Sequence, residues 1–119
     1  MLQAATTAIG HVTDGYEDLP SMQEPGCRAF VGDVFAHLGG SELCSGFFEL
    51  FASQPLDDTY NDDETTVVVE GEFVMTDLDT GQVVRAKAKD ALFFPKGAHI
   101  RFETPDRALG FYTGRRVTA

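Results

Sequence analysis

The amino-acid sequence predicts an all-β fold, namely a sandwich or barrel of jelly-roll type. About eight to ten short segments of strand character are separated by turn signals roughly every 8–12 residues. No window of about a dozen residues keeps the apolar spacing of a helix without an interrupting Gly or Pro. Segment 45–51 carries apolar side chains on both faces, which favours a sheet with covered faces or a closed barrel.

The chain is predicted to divide into an arm or edge strand, residues 1–25, and a single domain, residues 26–119. Gly and Pro residues recur between Gly10 and Pro25 and interrupt any regular element there. An arm of this kind needs a surface to lie against, so we expect it to cover the edge of a sheet.

The predicted strands follow one another through the domain and are separated by turns that contain Gly or Pro. They comprise 28–35, 45–51, two strands within 65–75 joined at Glu70-Gly71, 83–88, one strand entering and one leaving the turn Pro95-Lys96-Gly97, and 108–113. Asp77–Gly81 predicts a hairpin, because a Gly supplies the positive φ of a short turn. No strand is predicted between Pro55 and Glu64, where the chain is strongly acidic.

Composition excludes several classes of partner. The formal net charge is −10, with 19 acidic and 9 basic residues, so the field of the protein repels nucleic acid and anionic membranes. No apolar run approaches the roughly 18 residues of a membrane span, and the N-terminus lacks the charge order of a secretory signal, so we expect a cytoplasmic protein. Cys27 and Cys44 are too few for a disulfide framework or a thiolate zinc site.

Two stretches of the chain carry a resemblance to a known family. Glu64, followed by Gly71, matches the end of the first motif of the cupin superfamily, and Pro95-Lys96-Gly97, preceded by Asp90, matches the centre of the second. The phrasing Val-Val-Val-Glu-Gly-Glu and then Phe-Phe-Pro-Lys-Gly is similar to the cupins of the ethanolamine-utilisation protein Q (EutQ-like) group. The resemblance covers about residues 47–112 and implies a cupin-type jelly-roll β-barrel.

The chain departs from the cupin pattern at the metal ligands. Asp58 and Tyr60 occupy the two histidine positions of the first motif, Ile100 occupies the third, and Glu64 alone keeps its motif residue. Transition metals in such sites usually need imidazole ligands, which two carboxylates and a phenol do not replace. We therefore expect no transition-metal cofactor. The alternative is a divalent metal held by an atypical Asp, Tyr, Glu and His set.

Glu64, Tyr60 and Asp58 are the main candidates for site residues. At a period of two they share one face with Thr66, provided that the acidic segment stays extended. If this face lines the barrel, apolar surroundings favour the neutral Glu64 carboxyl and make it a candidate general acid or base. Tyr60 would donate a hydrogen bond to a substrate, and Asp58 would partner either group. The alternative is that the acidic segment is a solvated loop.

Three further residues are candidates for ligand contact. Lys96, in the Pro-Lys-Gly turn, and Arg101 could steer an anionic substrate. His99 lies next to the motif position taken by Ile100. Alternation along a strand turns His99 out of a barrel into which Ile100 points, unless a bulge near the turn reverses the faces.

Three functions are compatible with these residues. The first is a cupin that binds a small polar metabolite in a metal-free barrel, with Glu64 and Tyr60 as its polar groups. The second is an enzyme, either an acid–base isomerase or lyase that uses this pair, or a weak oxygen-ligand metal site completed by Asp58 and His99. The third, which the resemblance implies, is a non-catalytic accessory or structural protein of a metabolic operon.

Two further expectations concern relatives and assembly. Relatives in the ethanolamine group imply acetate-kinase-like activity, although the sequence has no Gly-rich phosphate loop ending in Lys and Ser or Thr. Exposed strand edges suggest a homodimer in which residues 1–25 cover the sheet edge of the partner.

Overall fold

The computed structural model describes residues 8–116, and nearly all of its regular structure is antiparallel strand. The strands are β1 (Arg28–Ala36), β2 (Leu43–Phe51), β3 (Leu56–Thr59), β4 (Glu64–Asp77), β5 (Val83–Lys87), β6 (Ala91–Phe94), β7 (His99–Glu103) and β8 (Arg107–Arg115), with a 3-10 turn at Leu38–Gly40. The predicted all-β class is confirmed. Within the described residues, no helix has the length and apolar character that crossing a bilayer requires.

Strand β4 belongs to both halves of the curled sheet. The order of hydrogen-bonded strands is β1-β2-β8-β4-β7-β3, and β5 and β6 also pair with β4. The first half of β4 lies between β6 and β8, and its second half lies between β5 and β7. The sequence predicted two strands here, but the structure has one long strand.

A bulge between Val68 and Glu70 lets β4 remain continuous. Before the bulge the even-numbered Thr66 and Val68 are buried, whereas after it the odd-numbered Phe73 is buried. A bulge inserts one unpaired residue and so exchanges the two faces of a strand. Both halves of β4 therefore turn their apolar side chains toward the same interior.

Strand β3 lies in the acidic stretch where no strand was predicted. Leu56 is almost completely buried, and Asp57 pairs in register with Arg101 of β7. Alternation places the carboxylate of Asp57 in solvent and Leu56 in the core. A strand of four residues with one buried apolar side chain leaves too short a hydrophobic pattern to be recognised in the sequence.

The described part of the predicted arm lies along β1 of its own chain. The Met22 N–H donates to the Ala29 carbonyl at 2.9 Å, and the Val31 N–H donates to the Pro20 carbonyl at 3.0 Å. The exposed edge of β1 is covered locally by these bonds. Residues 1–7 of the arm and residues 117–119 of the domain lie outside the described part, and the homodimer stays a prediction.

The interior is filled by aromatic rings from both halves of the sheet. Phe48 stacks on Phe73 with ring centroids 5.5 Å apart, and Phe102 contacts Phe94 edge-on at 5.7 Å. Offset and edge-to-face contacts of this kind add to the burial of apolar area. These four rings form the base of a cavity.

Replacing Gly71 with Ala is expected to destabilise the fold more than the same change at Gly81. Both glycines have positive φ, 73° and 81°, so each variant carries a backbone cost of about 1 kcal/mol. A Cβ at Gly71 would also overlap the Arg107 carbonyl oxygen, whereas at Gly81 it would meet open space. We expect Gly71→Ala to lose at least about 2 kcal/mol more than Gly81→Ala in urea unfolding. Equal losses would contradict this role for Gly71.

Candidate functional site

A cavity of about 210 Å³ lies between the two halves of the sheet, above the aromatic base. Its mouth is polar and is built from the segment that joins β3 to β4 and from the end of β8. The polar residues that line it include Asp58, Tyr60, Asp62, Asp63, Glu64, Thr66, Tyr112, Arg115 and Arg116. A pocket with an apolar base and a few convergent polar groups is the usual form of a small-molecule site.

The structure brings the candidates Asp58, Tyr60 and Glu64 together at this mouth. All three are half-buried and line the cavity, as the shared face predicted. Glu64 is the first residue of β4 and is held in register between Phe94 of β6 and Gly114 of β8. The backbone of Glu64, and with it the direction of its Cα–Cβ bond, is therefore fixed by two strand ladders rather than carried on a loop.

The Pro-Lys-Gly turn positions Tyr60. The Tyr60 N–H donates to the Ala98 carbonyl at 3.0 Å, and the Gly97 N–H donates to the Tyr60 carbonyl at 2.8 Å. The phenol ring stacks on Phe94, with centroids 4.7 Å apart and planes 5° apart. The Pro95-Lys96-Gly97 turn, which matches the second cupin motif, thus holds Tyr60 at a position where that pattern has a histidine ligand.

Burial and neighbouring charge make Glu64 a weak acid. Desolvation, followed by repulsion from Asp58, raises the pKa of Glu64 to about 7, although the Arg116 charge and a hydrogen bond with Tyr60 oppose the shift. Desolvation and the Glu64 carboxylate also raise the pKa of Tyr60. Near neutral pH the site therefore holds a phenol that can donate a hydrogen bond and a carboxyl group that can both take up and release a proton.

Asp33, Tyr112 and Arg116 form a network beside Glu64. Asp33 accepts a hydrogen bond from the Tyr112 hydroxyl at 2.7 Å and two from the Arg116 guanidinium at 2.6 and 2.8 Å. Burial opposes ionisation of Asp33, but the bonds from Arg116 and Tyr112 outweigh it and lower the pKa of this carboxyl group. Asp33 is therefore an anion paired with Arg116 at neutral pH.

These network residues were not among the predicted site residues. Asp33 shares the strand parity of Ala29 and Val31, which face the interior, and a carboxylate at an inward position needs a partner. This inward position was the one feature of the sequence that could have identified Asp33 as a site residue. Arg116 carried no such signal, because its bond to Asp33 spans 83 positions of sequence.

The other candidates for ligand contact lie away from the cavity. His99 is exposed on the face of β7 opposite the buried Ile100, and its Nδ1 lies 3.1 Å from an Asp79 carboxylate oxygen. Arg101 donates two hydrogen bonds to Asp57 on the outer surface. The Lys96 side chain is exposed, and its backbone N–H donates to the Asp63 side chain at 2.8 Å. Strand alternation accounts for the outward His99 and Arg101.

The donor set does not fit the metal site that the cupin resemblance implies. Among residues 8–116, no three His, Cys, Asp or Glu side chains are grouped so that they could hold a metal ion. The described residues that line the cavity contribute carboxylates and phenols but no imidazole. Imidazole nitrogen is the ligand that suits iron, copper, nickel and zinc in such sites, so these oxygen donors do not fit those ions.

A second cavity of about 300 Å³ lies between β4, β5, β6 and β7. Its lining is mainly apolar, and its one ionisable side chain among the described residues, Asp77, accepts a hydrogen bond from the Asp79 N–H in the adjacent turn. Because its polar groups do not converge, this cavity is a weaker candidate for a binding or catalytic site than the cavity at Glu64.

Comparison with known proteins identifies a family. The sequence model described as ethanolamine utilisation protein EutQ matches residues 13–114. The chain is 35% identical over 89 residues to acetate kinase EutQ of Salmonella typhimurium, covering 75% of this chain and 37% of that protein. This chain therefore spans little more than a third of the length of that curated relative.

Solved structures agree with this result. The EutQ protein of Clostridium difficile superposes with a TM-score of 0.72 at 27% identity, covering 87% of this chain and 80% of that one. A cupin superfamily protein of Desulfitobacterium hafniense superposes with a TM-score of 0.61 at 13% identity, covering 74% and 77% of the two chains, which shows the fold alone. The predicted cupin-type barrel is confirmed.

Glu64→Gln is expected to stabilise the protein relative to wild type as the pH rises. The folded pKa of Glu64, about 7, lies above its ordinary value of 4.5, so the wild-type carboxyl is neutral and unpenalised at low pH. Wild-type stability is then lost as the pH rises from about 4.5 through about 7, by at most about 3 kcal/mol.

Urea unfolding at pH 4.5 and pH 8 measures this difference. Glu103→Gln makes the same change at an exposed position of β7. It is the matched control, because it removes one negative charge without removing a buried carboxyl group. A stability difference between Glu64→Gln and wild type that does not grow with pH would contradict the environment assigned to Glu64.

Proposed function

We propose that this chain, which belongs to the family of the ethanolamine utilisation protein EutQ, binds a small polar metabolite in its barrel without a transition metal. The observation that carries the proposal is the convergence of Glu64, Tyr60 and Asp58 on a cavity with an aromatic base. A volume of about 210 Å³ suits a small ligand rather than a drug-sized one.

Each polar group has a distinct part in binding. Tyr60, whose hydroxyl hydrogen-bonds to Glu64 in the free protein, can donate to a ligand instead, from a ring that is fixed by stacking on Phe94. Glu64 accepts a hydrogen bond when ionised and donates one when neutral, since its pKa of about 7 makes both forms available. Thr66 adds a hydroxyl on the same face of β4. A small ligand with both donor and acceptor groups matches this set.

A second candidate function is acid–base catalysis at the same residues. The observation that favours it is the pKa of Glu64, which lies near neutral pH and beside the Tyr60 phenol. General acids and bases work best when their pKa is close to the working pH. Glu64 would then move a proton to or from the ligand while Tyr60 holds a ligand oxygen, as in an isomerase or lyase.

The acetate kinase activity named for the Salmonella relative is that of a protein much longer than this chain. The chain covers 37% of the Salmonella protein. The sequence also lacks the Gly-rich loop with Lys and Ser or Thr that cradles phosphates in many nucleotide-binding enzymes.

Binding of small polar fragments is expected to perturb the cavity. We would titrate labelled protein with a mixture of small alcohols, amines and carboxylates and follow the NMR signals of Thr66 and Gly114. Perturbation is expected there, and Tyr60→Phe or Glu64→Leu should weaken the best fragment about tenfold, because each variant loses a hydrogen-bonding group that contacts the ligand. Tyr16→Phe, on the outer face of the sheet against Phe47, is the matched control.

Two results would contradict the proposal. One is a set of fragments that perturbs only residues outside this cavity. The other is a stoichiometric transition metal in protein purified without chelator, if Glu64→Gln removes that metal.

A further inference from the structure

The charges around the cavity are not balanced. Asp58, Asp62, Asp63 and Glu64 contribute carboxyl groups to its lining, against the guanidinium groups of Arg115 and Arg116. Which ligand charge the cavity accepts depends on whether these two cations are available to a ligand.

Both arginines already have carboxylate partners that do not line the cavity. Arg116 donates two hydrogen bonds to Asp33, at 2.6 and 2.8 Å, and Arg115 donates one to Glu42 at 2.7 Å. A bidentate bond between Arg and a carboxylate fixes the guanidinium plane and neutralises its charge. Among the described lining residues, the uncompensated charge is therefore negative.

The pairing of Arg116 is more firmly built than that of Arg115. The Asp33 side chain is 21% exposed, and the Tyr112 hydroxyl donates a further hydrogen bond to it at 2.7 Å. In the Arg115–Glu42 pair the side chains are 64% and 41% exposed, where an ion pair is worth little. Asp33 thus acts on the cavity through Arg116, without lining the cavity itself.

The aromatic base favours the same sign of ligand charge. Tyr60 and Phe94 form a stacked pair at the cavity, and Phe48 lines it from β2. The faces of aromatic rings carry partial negative charge and attract cations, ammonium ions included. A carboxylate ligand would meet these rings and the Asp58 and Glu64 carboxyl groups. Arg116 is held by Asp33, so only the exposed Arg115, which is paired with Glu42, would remain to receive it.

We propose that Asp33 determines the specificity of the cavity: by holding Arg116, it leaves the cavity selective for a small organic ammonium ion over a carboxylate. This inference rests on the proposed binding function and adds the chemical class of the ligand. Asp33 is a positioning residue, because it acts through Arg116 rather than by touching the ligand.

Three two-carbon probes of similar size separate the charge classes, namely ethylammonium, ethanol and acetate. Titration of the full chain, followed by the NMR signals of Thr66 and Gly114, gives the affinity of each probe. For the wild type we expect ethylammonium to bind about tenfold or more tightly than acetate, with ethanol between them. The preference should shrink at high salt, since it is electrostatic.

Two substitutions in the network have opposite expected effects. Asp33→Asn releases Arg116 toward the cavity and should reduce the ratio of ethylammonium to acetate affinity about tenfold or reverse it. Arg116→Gln removes the cation and leaves the Asp33 carboxylate without it, so this variant should increase that ratio. Asp57→Asn is the matched control, because Asp57 forms the same bidentate pair with Arg101 on the outer surface, and its ratio should equal that of the wild type.

The outcomes distinguish this inference from the function on which it rests. If no probe perturbs the cavity, both are overturned. If probes bind there but acetate is preferred by the wild type, or the ratio is unchanged in Asp33→Asn, the specificity inference is overturned and the binding function stands. Should Asp33→Asn fail to fold, Arg116→Gln decides the matter, because an unchanged or lower ratio in that variant would show that the Asp33–Arg116 pair does not set the charge preference.

Discussion

The constraint on which this structure depends is that one strand, β4, belongs to both halves of the sheet. Its side chains alternate between core and solvent, so a single unbroken register could not place both Thr66 and Phe73 inward. The bulge after Val68 supplies the extra residue, and Gly71 lets the chain pass the Arg107 carbonyl without a side chain in the way. Because Glu64 lies on the same ladder, the core that buries Phe73 also fixes the direction of the Glu64 Cα–Cβ bond.

That fixed direction creates the electrostatic character of the site. Glu64 lies above an aromatic base and near Asp58, so water cannot solvate it fully and a second carboxyl group repels its charge. Arg116 reduces this effect only in part, since its guanidinium is bonded to Asp33. The high pKa of Glu64 and the pairing of Arg116 are thus two consequences of one arrangement, in which the nearest cation is engaged elsewhere.

Local sequence patterns predicted most of the strands and three of the site residues. The features that they missed depend on contacts between residues far apart in the sequence. Alternation and turn signals identified most strands and placed Asp58, Tyr60 and Glu64 on one face, because those rules depend only on near neighbours in sequence. Strand β3 was missed because its pairing with β7 stabilises a segment that is acidic by itself. The bond between Asp33 and Arg116 spans 83 positions, and no local pattern reports which strand ends meet in space.

The same network defines what anion chemistry in this cavity would require. A carboxylate or phosphate ligand needs a cation that is free to approach it, and Arg116 would have to exchange two bonds to Asp33 for bonds to the ligand. That exchange would leave Asp33, with only the Tyr112 hydroxyl, as a partly buried anion, which is costly. An ammonium ligand needs no such exchange, because it meets the Asp58 and Glu64 carboxyl groups where they already lie. The charge preference of the site therefore follows from the unequal cost of rearrangement for the two classes of ligand.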